Sequence, residues 1–413
     1  MLPESLAASS HNFASVHTSD TWSPAIVLVA GSLILFLSIG ARQGFGLFMV
    51  PVTETLHIGR EPFAFAVAMQ YLVWGLAGPV GGMIADRWGA ARVIATGGAL
   101  YAFGYAASAI LSNPALLPWT AGVAIGLGLG GASFGVVHGA VARAWPEHTR
   151  GRALGAVGSI TALGQLLLLL ATFASIETLG WRPAMWLHAG AVFLIVPLSL
   201  FLARSRSSVA VAADNGACPA LRLAARDNRF WLLCVGFSAS GLQVMFTMTH
   251  LPAMYADFGL SSREAMLSLA CLSLTTVGGS ALFGRLCDRY SKSRLLAIIY
   301  IVRAISALVF LALPKTPLLL HAYFLVLGLF WMSTIPVASA LTAELFGVRY
   351  LGTLFSVVFL AHQVGGSFGT WMAGRVFDAT GSYVSMWSFV AGICAVAAVL
   401  AWRIDRPGIY KDG

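Results

Sequence analysis

The chain reads Gly81-Gly-Met-Ile-Ala-Asp86-Arg87-Trp-Gly89-Ala-Ala-Arg92 between two long apolar runs. A second stretch, Gly284-Arg-Leu-Cys-Asp288-Arg289, repeats the Gly-x-x-x-Asp-Arg pattern 202 positions later, again directly after an apolar run. Each stretch puts a carboxylate and an arginine at the turn between two hydrophobic segments. The pattern indicates two similar halves, each with a charged turn at the same place.

Two further matches have nearly the same offset. Arg152-Ala-Leu-Gly155 matches Arg349-Tyr-Leu-Gly352 at 197 positions, and Glu177-Thr-Leu-Gly180 matches Asp378-Ala-Thr-Gly381 at 201 positions. Parallel internal repeats in a membrane protein are typical of transporters, in which the substrate site lies between the repeats near the middle of the bilayer.

The composition requires a surface that faces lipid. Hydrophobic residues make up 58% of the 413-residue chain and charged residues 10%, whereas a soluble domain carries about 25% charged residues. The length accommodates roughly a dozen spans of about 20 residues. We predict an all-α membrane protein with twelve transmembrane helices in two parallel six-helix repeats. The predicted spans are 24–51, 62–85, 93–112, 117–142, 153–175, 184–203, 230–256, 264–286, 295–313, 318–342, 350–376 and 382–402.

The basic residues orient this arrangement. With both termini in the cytoplasm, 18 of the 25 lysines and arginines fall on the cytoplasmic side and five on the outer side, as the positive-inside rule requires. We therefore attribute the net charge of +9 to the orientation of the helices in the membrane rather than to binding of nucleic acid. We predict a multi-pass protein of the bacterial inner membrane. Its predicted parts are a disordered cytoplasmic tail (1–23), a six-helix bundle (24–203), a cytoplasmic linker (204–229), a second six-helix bundle (230–402) and a cytoplasmic tail (403–413).

The stretch 81–92 resembles the loop signature of the major facilitator superfamily, and the resemblance extends from Ser23 to Trp402. Three other stretches resemble its bacterial monocarboxylate transporter and oxalate/formate antiporter branch. They are Arg42-Gln-Gly-Phe-Gly46, Arg150-Gly-Arg-Ala-Leu-Gly155 and His362-Gln-Val-Gly-Gly-Ser-Phe-Gly369. The eighth span departs from this branch, since its interior lacks the charged pair that several members carry there. The resemblance implies the major facilitator fold and secondary transport by alternating access.

The charged turns are candidate gating sites. A carboxylate at a helix end can accept hydrogen bonds from a neighbouring arginine or helix N-terminus and so hold the cytoplasmic side in one conformation. The alternative is that these charges only anchor the topology. The resemblance favours the gating role, whose candidate residues are Asp86, Arg87, Arg92, Asp288 and Arg289.

Two arginines lie within predicted spans, Arg42 in the first and Arg303 in the ninth, whereas none of the 16 acidic residues lies in the middle of a span. An arginine at a helix centre costs about 2.5–3.5 kcal/mol on insertion scales. Without a buried carboxylate, both guanidinium groups predict an electropositive cavity that binds an anionic substrate. Alternatively, each can bond helix carbonyls or extend to the interface. Gly44 and Gly46 favour Arg42 over Arg303 as the substrate ligand, because they allow other groups to approach the backbone.

Without a carboxylate in the spans, a proton carried by the protein would have to bind an imidazole, and we consider His138, His250 and His362 as proton-coupling residues. The alternative is a neutral imidazole that is hydrogen-bonded between helices. His250 precedes Pro252, which frees a backbone carbonyl. The candidate substrate-binding residues other than the arginines are His362, Gln363, His250, Tyr71, Gln70 and Trp331.

These observations predict a secondary carrier that moves a small organic anion by proton symport or anion exchange. A monocarboxylate is the leading candidate substrate. The alternatives are an efflux carrier for amphiphilic compounds and a membrane receptor that binds without transport. The five cysteines show no CxxC spacing and no Walker lysine pattern occurs, so we expect no metal, no cofactor and no enzymatic activity. We expect a monomer whose partners are the anion, protons and the lipid bilayer, with no nucleic acid.

Overall fold

The computed structural model describes residues 22–145, 147–203, 217–347 and 351–404, and the regular structure within these ranges is helical throughout. The predicted tails therefore lie almost wholly outside the described residues, as does much of the predicted linker. The helical spans are α1 (Pro24–Leu56), α2 (Arg60–Trp88), α3 (Ala90–Ala109), α4 (Pro114–Ala144), α5 (Glu147–Leu179), α6 (Trp181–Leu202), α7 (Asn228–Asp257), α8 (Ser262–Leu286), α9 (Lys292–Ala312), α10 (Pro317–Phe346), α11 (Leu351–Thr380) and α12 (Val384–Ile404). A short helix, Ala217–Ala224, precedes α7.

Ten of these spans are long and apolar enough to cross a membrane within the described part of the chain. The other two, α3 and α11, have 20 and 30 residues and are also long enough to cross. The all-α architecture predicted from composition is confirmed.

Four spans are interrupted, which the sequence did not predict. The smallest interruption is at Leu194 of α6, between the α-helices Trp181–Phe193 and Ile195–Ser199. In α1, the α-helix Pro24–Gln43 is followed by a 3-10 turn (Phe45–Phe48) and a second α-helix (Met49–Leu56). In α4 the helix ends at Gly131 and restarts at Phe134, and in α10 it ends at Trp331 and restarts at Thr334. The last two breaks lie at Ser133 and Ser333, 200 positions apart. The internal repeat therefore extends to the irregularities of the helices.

The turns also follow the repeat. Gly180 ends α5 with φ 83°, and Gly381 follows α11 with φ 69°. Gly89, at the charged turn after α2, has φ 94° and donates its N–H to the carbonyl of Ala85. Glycine adopts this left-handed region without the penalty that a Cβ imposes. The glycines of the repeated motifs therefore terminate helices.

The two halves meet along three pairs of helices: α2 packs on α11, α5 on α8, and the second part of α1 on α7. Gly46 lies at the last contact, where an added Cβ would approach the Met248 carbonyl oxygen to 2.4 Å. The close approach of α1 and α7 depends on this glycine. Arg42, Arg60 and Tyr71, which are discussed below, lie along this interface between the halves.

Candidate functional site

Arg42 lies in the last turn before α1 breaks at Gly44, a position where the helix dipole favours a cation. Its side chain is buried, with 8% of the residue exposed. Its Nη2 atom lies 3.6 Å from the Met245 sulfur, and its guanidinium carbon lies 4.5 Å from the ring centre of Tyr71 and 5.5 Å from that of Trp74. Among the described residues, Arg42 has no carboxylate or carbonyl partner.

A thioether is a weak acceptor, so most of the donors of Arg42 remain available. The adjacent Gln43 donates through Nε2 to Ser273 Oγ of α8 at 3.4 Å and to the Met248 sulfur of α7 at 3.5 Å. The Tyr71 hydroxyl lies 3.4 Å from Thr249 Oγ1. We call Arg42, Gln43, Tyr71, Trp74, Met245 and Met248 the central site. It joins α1 and α2 of the first half to α7 of the second, with one uncompensated positive charge and an amphiphilic wall.

Arg303 does not belong to this site, contrary to the sequence-based expectation. It is 0% exposed, and it donates to Gln243 Oε1 at 2.7 Å, to Ser240 Oγ at 2.7 Å and to the Ser240 carbonyl at 3.2 Å. Trp331 packs at 5.5 Å from the guanidinium carbon. Arg303 is therefore satisfied within the second half by α7, and Trp331 covers this arginine rather than the central site.

His362 and Gln363 are buried on α11. The His362 ring lies against Phe237 of α7, with ring centres 4.8 Å apart, whereas Gln363 packs at Gly75 of α2. The His362 ring stacks on Phe359 with ring centres 5.6 Å apart, and Phe359 in turn contacts Trp74 of the central site. His362 Nδ1 lies 3.2 Å from Gln363 Oε1, whereas His362 Nε2 and Gln363 Nε2 have no partner among the described atoms. Buried polar atoms without partners are rare, so these two nitrogens stay candidates for bonding a ligand or water.

The remaining predicted residues have more local contacts. Gln70 donates to the Ala121 carbonyl of α4 at 2.9 Å, which holds it inside the first half. His138 is half-buried against the Phe134 ring, with ring centres 5.4 Å apart. The structure therefore brings Tyr71 to Arg42, but it does not bring Gln70 or His138 into contact with it.

A polar cluster that the sequence analysis missed closes one end of the bundle. The Arg60 guanidinium binds both oxygens of Asp257 at 2.6 Å. The Asp378 carboxylate accepts the backbone N–H groups of Arg60 at 2.9 Å and of Glu61 at 2.7 Å. Arg60 also donates to the Tyr383 hydroxyl at 3.1 Å. We call Arg60, Glu61, Asp257, Asp378 and Tyr383 the latch.

The latch joins the start of α2, in the first half, to α7, α11 and the residue before α12, in the second. Glu61 adds two bonds to α11, from Trp371 Nε1 at 3.1 Å and from Arg375 at 3.3 Å. We call this end of the bundle the latch face and the opposite end, where α1 starts and α12 ends, the terminal face. The halves are bonded together at the latch face.

A buried histidine is attached to the latch. His250 is 0% exposed. Its Nδ1 lies 2.8 Å from the Tyr383 hydroxyl and its Nε2 lies 2.9 Å from the Thr370 carbonyl. Tyr383 therefore touches both His250 and Arg60. The sequence singled out His250, but the latch partners of Tyr383 are too distant in the chain to be identified from a local pattern.

At the terminal face the predicted gating residues are less constrained. Arg87, Arg92, Asp288 and Arg289 are exposed, and the side chain of Asp86 lies outside the described part of the chain. The ion pairs described at this face, Lys292 with Glu344 and Arg229 with Asp227, stay within the second half. In the described part of the chain, the side-chain bonds of the latch therefore join the two halves at the latch face. Gating by the charged turns stays a prediction.

Comparison with known proteins identifies the fold. The model of the Major Facilitator Superfamily matches residues 31–255 and 233–411. Human monocarboxylate transporter 11 is 26% identical over 87% of the chain and 78% of its own length. The oxalate:formate antiporter of Oxalobacter formigenes is 19% identical over 94% and 91%. The crystal structure of a D-xylose-proton symporter superposes with a TM-score of 0.73 at 17% identity, covering 92% of this chain and 97% of that one.

Proposed function

The chain belongs to the Major Facilitator Superfamily, and we propose that within it this protein carries a small organic monoanion across the bacterial inner membrane. The superfamily consists of membrane transporters rather than enzymes, so the solute crosses chemically unchanged. We place the termini in the cytoplasm and the latch face outside, as the distribution of basic residues indicates. The structure then corresponds to a carrier closed toward the outside.

The uncompensated charge of Arg42 supports an anionic substrate. Its guanidinium sits between the two halves with a thioether and aromatic faces as neighbours, and these offset little of its lost hydration. A guanidinium binds a carboxylate through two parallel N–H···O bonds. A carboxylate therefore supplies the missing partner.

The number of charges favours a monocarboxylate over a dicarboxylate. Since Arg303 is bonded inside the second half, the central site offers one cation. A second carboxylate would remain unpaired in a poorly hydrated site, which is strongly unfavourable. Tyr71, Trp74, Met245 and Met248 instead suit an apolar substituent, and methionine side chains adapt to different shapes.

The charge also bears on coupling. A bound carboxylate neutralises Arg42, so the loaded carrier can reorient without moving a net charge across a barrier of low dielectric constant. The empty carrier keeps that charge and reorients more slowly. This favours anion exchange, or symport in which a proton moves with the anion. The printed name of human monocarboxylate transporter 11 supports a monocarboxylate substrate. The name of the oxalate:formate antiporter, whose substrates are a dicarboxylate and a monocarboxylate, supports carboxylates as a class and the exchange mode.

The test is binding and uptake by purified protein in proteoliposomes. Labelled lactate, pyruvate, an aromatic monocarboxylate and oxalate are offered with and without a pH gradient. We expect saturable uptake of a monocarboxylate, and we expect Arg42→Gln to lower its affinity at least tenfold. The exposed Arg263 of α8 provides the control variant Arg263→Gln, whose affinity should be unchanged. Equal affinity in the protein and in Arg42→Gln would contradict the proposal, and binding without uptake would indicate a receptor.

A further inference from the structure

We propose that His250 is the proton-binding residue that controls the latch, and that Tyr383 transmits its charge state to Arg60, so that a proton on His250 opens the latch face. The inference deepens the proposed function, because it names the residue and the gate through which a proton acts on the carrier. It depends on the hydrogen-bond roles of three side chains, which we assign from the donors and acceptors that face one another.

The closed latch requires a neutral imidazole. The Thr370 carbonyl can only accept a hydrogen bond, so the His250 Nε2 atom that lies 2.9 Å from it carries the hydrogen. The Tyr383 oxygen accepts from Arg60 at 3.1 Å, and its own hydrogen points to His250 Nδ1 at 2.8 Å. Burial raises the pKa of Tyr383, so the hydroxyl keeps that hydrogen. Every hydrogen in this chain of bonds has an acceptor.

A proton on His250 removes that acceptor. Both imidazole nitrogens then carry hydrogens, and Nδ1–H faces an oxygen that already accepts from Arg60. The Tyr383 hydrogen must turn away from its partner. Moreover, a second cation now lies one hydroxyl group away from the Arg60 guanidinium, in a site where water screens the repulsion poorly. Protonation therefore opposes the contact between Arg60 and Tyr383 at the centre of the latch.

Other charges near His250 do not reverse this effect. From α7 itself comes Asp257, whose two oxygens are both bound by Arg60. From α11 comes Asp378, which is engaged by the start of α2, and α11 otherwise presents the Thr370 carbonyl. The second part of α1 carries Glu54, which is exposed. Glu264 of α8 binds His321 of α10 at 2.7 Å, in a separate network. Among the described residues, none of these carboxylates forms a bond to His250.

Linkage gives the direction of the response. The closed latch excludes a proton that the open latch accepts, so acidification populates the open state, and one proton changes the ratio of closed to open by at most about tenfold per pH unit. Outside acidity therefore favours the outward-open carrier, and closing the latch requires His250 to lose its proton.

The experiment measures the opening of the latch face directly, without substrate. Spin labels are placed at Leu179 and Ser262, two exposed positions at the ends of α5 and α8 on this face, in a full-length background without native cysteines. Distance distributions are recorded in nanodiscs between about pH 5 and pH 8, the range in which histidine titrates. We expect the short-distance population to fall as the pH is lowered.

Variants separate His250 from other groups. His250→Gln can accept from Tyr383 and donate to Thr370 without titrating, so its short distance should persist at all pH values. Tyr383→Phe removes the connecting hydroxyl and should reduce the response at least threefold. His188, a buried histidine bonded to Thr172 and Ala184 in the first half, gives the control His188→Gln, which should respond like the unsubstituted protein.

A pH response in His250→Gln equal to that of the unsubstituted protein would overturn the inference, and so would an unsubstituted protein without any response. Melting curves verify that each variant is folded, and Tyr383→Phe provides an independent test if His250→Gln is not. Arg42→Gln should bind the anion at least tenfold more weakly while its latch still responds to pH. Failure of the latch response with intact anion binding would therefore reject this inference alone, whereas loss of selectivity for anions with an intact response would reject the proposed function.

Discussion

The carboxylate of Asp378 caps the N-terminus of α2 across the interface between the halves, accepting the backbone N–H of Arg60 at 2.9 Å. A capping side chain normally precedes its own helix, whereas Asp378 lies 318 positions away in the chain. The cap exists only while the latch face is closed. The cap that Asp378 provides therefore stabilises the closed state relative to the open state.

Replacing Asp378 should weaken the closed state. A helix cap contributes about 0.5–2 kcal/mol, so Asp378→Ala should shift the ratio of closed to open by roughly twofold to thirtyfold toward open. The measurement is the reaction rate of a cysteine placed near the latch with a membrane-impermeant thiol reagent added outside. Ser388→Ala, at a residue of α12 whose hydroxyl bonds its own helix at Val384, is the control. Unchanged accessibility in Asp378→Ala would show that the cap does not hold the gate.

The contribution of the Arg60–Asp257 ion pair to the closed state should depend on the geometry of the contact as well as on charge. Arg60→Lys keeps the charge but loses the bidentate contact, and we expect a more open latch face and a lower exchange rate. The reversed pair, Arg60→Asp with Asp257→Arg, should recover part of the closed population that either single change loses. Recovery should be incomplete, because the reversed pair lacks the bond to Tyr383. Additive effects of the two single changes would contradict direct coupling.

Gly46 should tolerate no side chain. A Cβ there would lie 2.4 Å from the Met248 carbonyl oxygen, whereas a Cβ at Gly190 of α6 would meet nothing within 4 Å. Gly46→Ala should separate α1 from α7, open the latch face and lower transport at least tenfold. Gly190→Ala should be neutral or slightly stabilising, since alanine favours the helix. Equal transport rates for the two variants would contradict the packing account.

Arg303 should affect stability rather than selectivity. Hydrogen bonds to a charged group contribute about 1.5–3 kcal/mol each, and Arg303→Gln would lose several of them while leaving Ser240 and Gln243 with fewer partners. We expect a clearly lower melting temperature but an unchanged order of preference among anions in the protein that remains folded. A changed preference with a normal melting temperature would instead place Arg303 in the substrate path.

The charged turn after α2 should affect the turnover rate of transport rather than the affinity for substrate. Asp86 lies at the terminal face, away from the central site, so Asp86→Asn should slow turnover several-fold while the affinity for substrate changes little. Parallel binding and single-turnover efflux measurements separate the two quantities. A large loss of affinity with unchanged turnover would show that the gating role is wrong.

The fold was predictable because it depends on features that can be identified directly in the sequence. These are the long apolar runs, a repeat offset near 200 and the distribution of arginines. The site was only partly predictable. Arg42 and Arg303 give the same signal, a lone cation in an apolar span. They differ in the acceptors that α7 supplies, which are oxygens for Arg303 and a sulfur for Arg42. Gln243 does so for Arg303 from 60 positions away, which no local pattern reveals.

The latch was not predicted for the same reason. Arg60 is counted among the outer basic residues, and Asp378 appears as part of a repeated motif. The two carboxylate partners of Arg60, Asp257 and Asp378, lie 197 and 318 positions away. Charges at the ends of spans have many possible partners, and the fold decides which of them meet. The breaks in α4 and α10 were missed because neither Ser133 nor Ser333 interrupts the hydrophobic pattern strongly.

The bonds of Arg303 also set an order of events during synthesis. Because α7 leaves the ribosome before α9, Ser240 and Gln243 are already available when the guanidinium of Arg303 enters the bilayer. The later helix can then insert against the earlier one, with its charge accepted on arrival. Arg42 has no such help, since α1 emerges first and Met245 follows 203 positions later. The nascent first span must carry its cation into the membrane on the strength of its own apolar residues, at a cost of about 2.5–3.5 kcal/mol.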